Sequence, residues 1–186
     1  MGINELKGVF RLTIRFCLFL FIILFFGTGL QIWRLAPVDA DQSLIAKVKI
    51  THRAISGQSL PAPDEKGHVV GIGQRQGKVD FNGKESAKYE STAMVDGWIG
   101  KKGIYKGYSK YTFEDGSAIF FSWTAEGRRN ANGLPTQQGT GSIQGGTGRF
   151  KGIQGHAVFT TTQLKPTSED PTRTSVADSV IVYTLP

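Results

Sequence analysis

The sequence predicts an all-β protein, an eight-stranded antiparallel barrel preceded by one transmembrane or signal-anchor helix. Three observations carry that reading. From residue 44 onward apolar and polar residues alternate with period two, rich in β-branched and aromatic types, and no stretch of ten or more shows a helical stripe. Turn sequences punctuate the alternation, Asn82-Gly83 and Glu114-Asp115-Gly116 among them. Finally, about eight antiparallel strands with little helix favour closure, because closure removes the exposed edges of a single sheet; an open two-sheet sandwich is the alternative.

Length and composition set the outer limits. With 186 residues, 39% hydrophobic and 20% charged, the chain suits one ordinary domain plus an appendage, and neither wholesale disorder nor a polytopic membrane protein. The domain reading is a cytoplasmic stub and anchor over 1–34, a linker over 35–43 and the barrel over 44–186. The net charge of +7 is unevenly placed. Lys7, Arg11, Arg15 and Arg34 stand against Glu5 in the first 34 residues, which leaves 18 basic and 14 acidic groups beyond them. That remainder forms no block of like charge, so nucleic acid is not an expected partner.

Between Phe16 and Trp33 no residue is charged, and Phe16, Leu20, Ile23 and Phe26 belong to an almost unbroken apolar run. The strongly apolar part has the length of a secretory signal, with Val38-Asp39-Ala40 loosely resembling a cleavage site. The whole uncharged stretch, closed by Trp33 as an interfacial aromatic, suits a short membrane span, and a retained anchor is the favoured expectation. Basic residues precede the run and Asp39 and Asp41 follow it. The amino end is therefore expected in the cytoplasm, with membrane lipid as its partner and the barrel domain extracytoplasmic, periplasmic in a bacterium. Cys17 is the only cysteine, so no disulfide staples the exported domain.

The elements follow in order. Residues 44–51 alternate Leu44, Ala46, Val48 and Ile50 with Lys47, Lys49 and Thr51, a strand with one buried face. Residues 56–67, with Pro61, Pro63 and Asp64, read as a loop. Strands then run over 68–81, 84–98, 103–113 and 117–126, and a polar segment at 127–138 reads as a long exposed loop. The last strands are 140–143, 155–163 and 175–185, with a loop at 165–173.

The densest local signal is 139–155, GTGSIQGGTGRFKGIQG. No Gly-Lys-Ser/Thr and no helix follows it, so backbone N–H groups are not aimed at a phosphate; the glycines are expected to serve turns and bulges where a barrel bends. Ile143, Gly145-Gly146-Thr147-Gly148, Phe150 and Gly155, followed by a strand, resemble the carboxy-terminal signature of dirigent proteins and the allene oxide cyclase barrels. The resemblance implies an eight-stranded antiparallel barrel with a central cavity, often assembled as a trimer. Dirigent proteins steer radical coupling and the cyclases isomerise an epoxide, so the resemblance fixes no activity, and the glycines, Thr147 and Phe150 are carried over as structural matches only.

Catalytic signatures are not found in the sequence. His52, His68 and His156 lack metal-ligand spacing, Gly-x-Ser-x-Gly does not occur, and no cofactor or metal is expected. Aromatics say more. Tyr105, Tyr111 and Phe113 share one strand face with Tyr108 on the other, and Trp123 belongs to a similarly two-sided strand, which makes them candidates for a cavity or an interface. The leading expectation is a non-enzymatic accessory or binding subunit of a membrane assembly, with a protein partner or further copies of itself. The alternative is a binder of a small apolar ligand, or an isomerase of the cyclase type, in which Tyr111, Phe113 and Trp123 line the cavity beside one buried carboxylate.

Overall fold

The computed structural model describes residues 42–168 and 174–186. Both the anchor, with Phe16, Leu20, Ile23, Phe26 and Trp33, and most of the linker lie outside the described residues, among which no helix is long and apolar enough to cross a membrane. The domain is a closed barrel of β1 (Leu44–Pro61), β2 (His68–Phe81), β3 (Glu85–Trp98), β4 (Gly103–Phe113), β5 (Ala118–Arg129), β6 (Pro135–Thr147), β7 (Gln154–Gln163) and β8 (Ser175–Thr184). Every strand pairs antiparallel with the next, and β8 returns to β1, so that Leu44 lies opposite Tyr183. No two-sheet sandwich forms.

Boundaries of β1, β5 and β6 differ from the sequence expectation, and β6 also reaches Thr147, beyond the expected end at 143. The loop expected at 56–67 is strand as far as Pro61, because β1 stays in register with β2 up to the pair Pro61 and Val69 after a bulge between Ala54 and Ser56. Polar residues there face solvent on both sides of a projecting ribbon, so composition imitates a loop. Likewise β5 runs on to Arg129 and β6 begins at Pro135, which shrinks the expected long loop to residues 130–134. Between β2 and β3 the Asn-Gly signal holds: Asn82 and Gly83 have φ of 59° and 65°, the double left-handed turn that matches strand twist.

Eight strands enclose a lumen just wide enough for side chains to fill. Its inward row alternates aromatics with very small residues. The Trp123 ring lies over Gly107 directly across the β4–β5 pair, and a Cβ on Gly107 would come within 2.5 Å of that ring. Phe159 covers Gly139 in the same way across β6–β7, and Tyr105 covers Gly127. These glycines are spatial, making room for rings.

One end of the barrel is sealed. Phe81, Phe113 and Phe150 pack there with Ile153 and Ile181, ring centroids 5.5 Å apart for Phe81 and Phe113 and 4.8 Å for Phe113 and Phe150. Arg149 lies over both Phe113 and Phe150, 4.8 and 4.9 Å from their centroids, and pairs with Glu85 and Asp115. The expected Gly-rich element builds this seal. A bulge between Phe120 and Phe121 falls opposite Gly145, Gly148 has φ of 60° in a single 3-10 turn (Gly148–Phe150), and the Thr147 hydroxyl accepts the Ala118 N–H. Phe113→Ala should therefore cost about 3–5 kcal/mol of unfolding free energy, read as a drop in the urea midpoint. Gly107→Val, which drives a side chain into Trp123, should cost about 1–3 kcal/mol in the same measurement.

Candidate functional site

The other end is open. The 99–102 loop and the strand ends around it enclose a chamber of ≈ 550 Å³, whose lining includes His52, Arg75, Trp98, Tyr105, Arg129 and Gln137. Below it lies an inner cavity of ≈ 40 Å³, bounded by Tyr89, Tyr111, Phe121, Trp123 and Phe159 and sharing His52, Arg75, Gln137 and Thr161 with the chamber. The shared residues mark a throat. Alternation places them: His52 follows Val48 and Ile50 on the inward face of β1, and Arg75 precedes Gly77 and Val79 on the inward face of β2.

Polar groups continue below the throat. The Trp123 indole N–H donates to the Ser109 hydroxyl at 2.8 Å, and that hydroxyl lies 3.4 Å from the Tyr89 hydroxyl. Burial, and secondarily the neighbouring Tyr89, pushes the Tyr111 phenol up, so it stays protonated. His52 is 5% exposed, and burial followed by the Arg75 charge pulls its pKa down to about 4. The ring is neutral at pH 7, and its Nδ1 is buried with no hydrogen-bond partner. Ser91, the register partner of Arg75 on β3, likewise has a buried hydroxyl with no partner.

The rim is clamped by charge. His68 places Nδ1 2.7 Å from Asp64 and Nε2 2.7 Å from Asp96, and stacks on Trp98 with centroids 4.3 Å apart. The Trp98 indole N–H donates to Glu65 at 2.8 Å, so the 62–67 loop is tied to β2 through Asp64 and to β3 through Glu65. Hydrogen bonding to Asp96 and then Asp64 raises the His68 pKa, since only the imidazolium donates from both nitrogens.

Sequence-selected residues separate in space. Tyr105 lines the chamber, and Tyr111 and Trp123 the inner cavity. Phe113 does not line it: two residues beyond Tyr111 on the same face, it already lies in the seal. Gly145, Gly146, Thr147, Gly148, Phe150 and Gly155 are all at or beside the sealed end, away from the chamber. The carboxylate expected in the cavity is not there; among the described residues no Asp or Glu is buried, and neither chamber has one in its lining. Sequence reasoning found no metal-ligand spacing at His52 and did not single out Arg75; a cation on the apolar side of an alternating strand was the available signal.

No protein-family model and no curated protein sequence matches the chain. Among solved structures it is similar to a pterocarpan synthase dirigent protein, at 14% identity over 78% of this chain and 93% of that one, with a TM-score of 0.45.

A pH test reads the throat. His52 has an ordinary pKa of 6.5 when unfolded and about 4 when folded. Between those values the unfolded chain binds a proton that the folded one refuses, so the full contribution is present above pH 6.5 and is lost as the pH falls toward 4. The loss is about 3 kcal/mol across that window. Urea unfolding at pH 7 and 4.5 should show a steeper acid loss for the native sequence than for His52→Gln. His68 works in the opposite sense, since its raised pKa stabilises the fold at low pH and the benefit fades as the pH rises through it.

Proposed function

We propose that this barrel is a non-enzymatic binding module that holds a small molecule in its open mouth, carried on the outer side of a membrane by the amino-terminal segment. One observation carries the reading. The barrel is plugged by aromatic side chains at one end and widens at the other into a chamber of ≈ 550 Å³, a volume suited to a ligand of ordinary small-molecule size. The inner cavity of ≈ 40 Å³ has room for a water, not for a substrate, so a ligand rests in the mouth above it. Relationship to the dirigent and allene oxide cyclase barrels fits this reading through the Ile143 to Gly155 signature. The uncharged run at 16–33 supports the tether and orientation.

A second reading, an accessory subunit that docks a protein partner or further copies of itself, is favoured by the outer face. Leu60, Val70 and Ile104 are 71%, 49% and 53% exposed, with Leu60 beside Val70 and Val70 in line with Ile104 across Asp96. Ile72 beside Met94 extends the apolar area.

The two readings separate on full-length protein extracted in mild detergent. The chamber reading expects native mass spectrometry to show a small-molecule adduct, lost in Ala54→Trp, which enlarges an exposed side chain in the chamber lining. The docking reading expects a co-purifying protein or a self-assembly lost in the pair Leu60→Glu, Ile104→Glu. A lone monomer overturns docking, and an adduct that survives Ala54→Trp overturns the chamber. Carbonate-resistant membrane association of the full chain is the expected sign of the anchor, and release by carbonate would remove it.

A further inference from the structure

We infer that the throat is an anion site, taking a compact organic carboxylate whose charged end meets Arg75 and whose apolar body lies in the chamber against Tyr105. This rests on the chamber reading above and adds the chemical class of the ligand. Arg75 is the starting point. It sits half-buried on the inward face of β2, between Ala54 of β1 and Ser91 of β3. Among the described residues nothing forms an ion pair or hydrogen bond with its guanidinium, whereas Arg149 at the sealed end has two carboxylates. A guanidinium withdrawn from water without a counter-charge is costly, and five N–H donors are left for a planar acceptor.

Two further groups point the same way. His52 Nδ1 and Ser91 Oγ are the buried side-chain polar atoms with no partner among the described residues, and both lie on strands flanking Arg75. His52 faces the chamber and the inner cavity alike, as Arg75 does, and is 5% exposed. Ser91 is 7% exposed. Arg75 and His52 face the throat together and Ser91 stands beside Arg75 across the β2–β3 pair, a cluster that suits a carboxylate, which accepts from a guanidinium and from neutral donors together. Water hydrates such groups but supplies no counter-charge. Above the throat, Lys101, Lys102 and Arg129 stand in the chamber lining, which among the described residues holds no Asp or Glu. Cations lining a cleft with low-dielectric walls draw anions inward.

The test uses full-length protein in mild detergent and a matched pair of probes, 2-naphthoate and 2-naphthamide, alike in shape and different in charge. Titration calorimetry should find naphthoate bound at least tenfold more tightly, with the preference falling as salt is raised. Arg75→Gln should abolish the preference, and Arg75→Lys should keep part of it. Arg75→Gln should also raise the urea midpoint of the free protein, because it removes an unpaired charge. Equal binding of the two probes overturns the anion site while leaving the chamber intact. Binding of neither overturns both. A preference that persists in Arg75→Gln takes the role from Arg75 and overturns the assignment. Should Arg75→Gln not fold, the probe pair on the native sequence and on Arg75→Lys still decides.

Discussion

A closed eight-stranded barrel has a lumen whose width is set by strand number, so each inward position must be matched in size to the one across from it. Here the match is made by setting aromatic rings on glycines. Gly107 under Trp123, Gly127 under Tyr105 and Gly139 under Phe159 let three large side chains lie across neighbouring strands instead of meeting in the middle. The rings gain contact with bare backbone, and the strands gain cover where a glycine would otherwise leave a void. The lumen narrows to ≈ 40 Å³ where Trp123 and Phe159 share it with Tyr89, Tyr111 and Phe121.

The same constraint makes the two ends unlike. Toward the sealed end the inward residues are Phe81, Phe113 and Phe150, with Arg149 laid over two of the rings and held by Glu85 and Asp115. Toward the other end Gly97, Gly103 and Gly127 thin the inward row, and the long β1–β2 ribbon projects beyond its neighbours as one wall of the chamber. The His68 clamp with Asp64, Asp96 and Trp98 steadies that wall. Arg75 and His52 stand where the two regimes meet, deep enough to lose water and open enough to meet a ligand.

Much of the fold could be read from the chain because its signals are local. Period-two alternation, Asn82-Gly83 and the glycines around 145–155 act through the backbone of a few consecutive residues, and the strands, turns and bulge they imply are present. The errors were of extent. Polar residues at 56–61 and 127–129 continue strands because their partners across the sheet hold them there, and no local composition reports a partner. The site was less legible. Tyr105, Tyr111 and Trp123 stood out by type and do line the two spaces, while Phe113, on the same face, was placed in the seal by its depth along the barrel.

By itself the sequence determined the strand periodicity, the faces, the tight turns and an uncharged amino-terminal run, all properties of neighbours along the chain. Only the tertiary structure decided that β8 closes onto β1, which end is plugged, and that among the described residues Arg75 stands without a counter-charge beside the unpartnered His52 and Ser91. Those facts depend on residues 16 and more positions apart meeting around a circle, and on how deep each lies in a tapering lumen. Depth and closure are set by the whole ring of strands, which no single strand encodes.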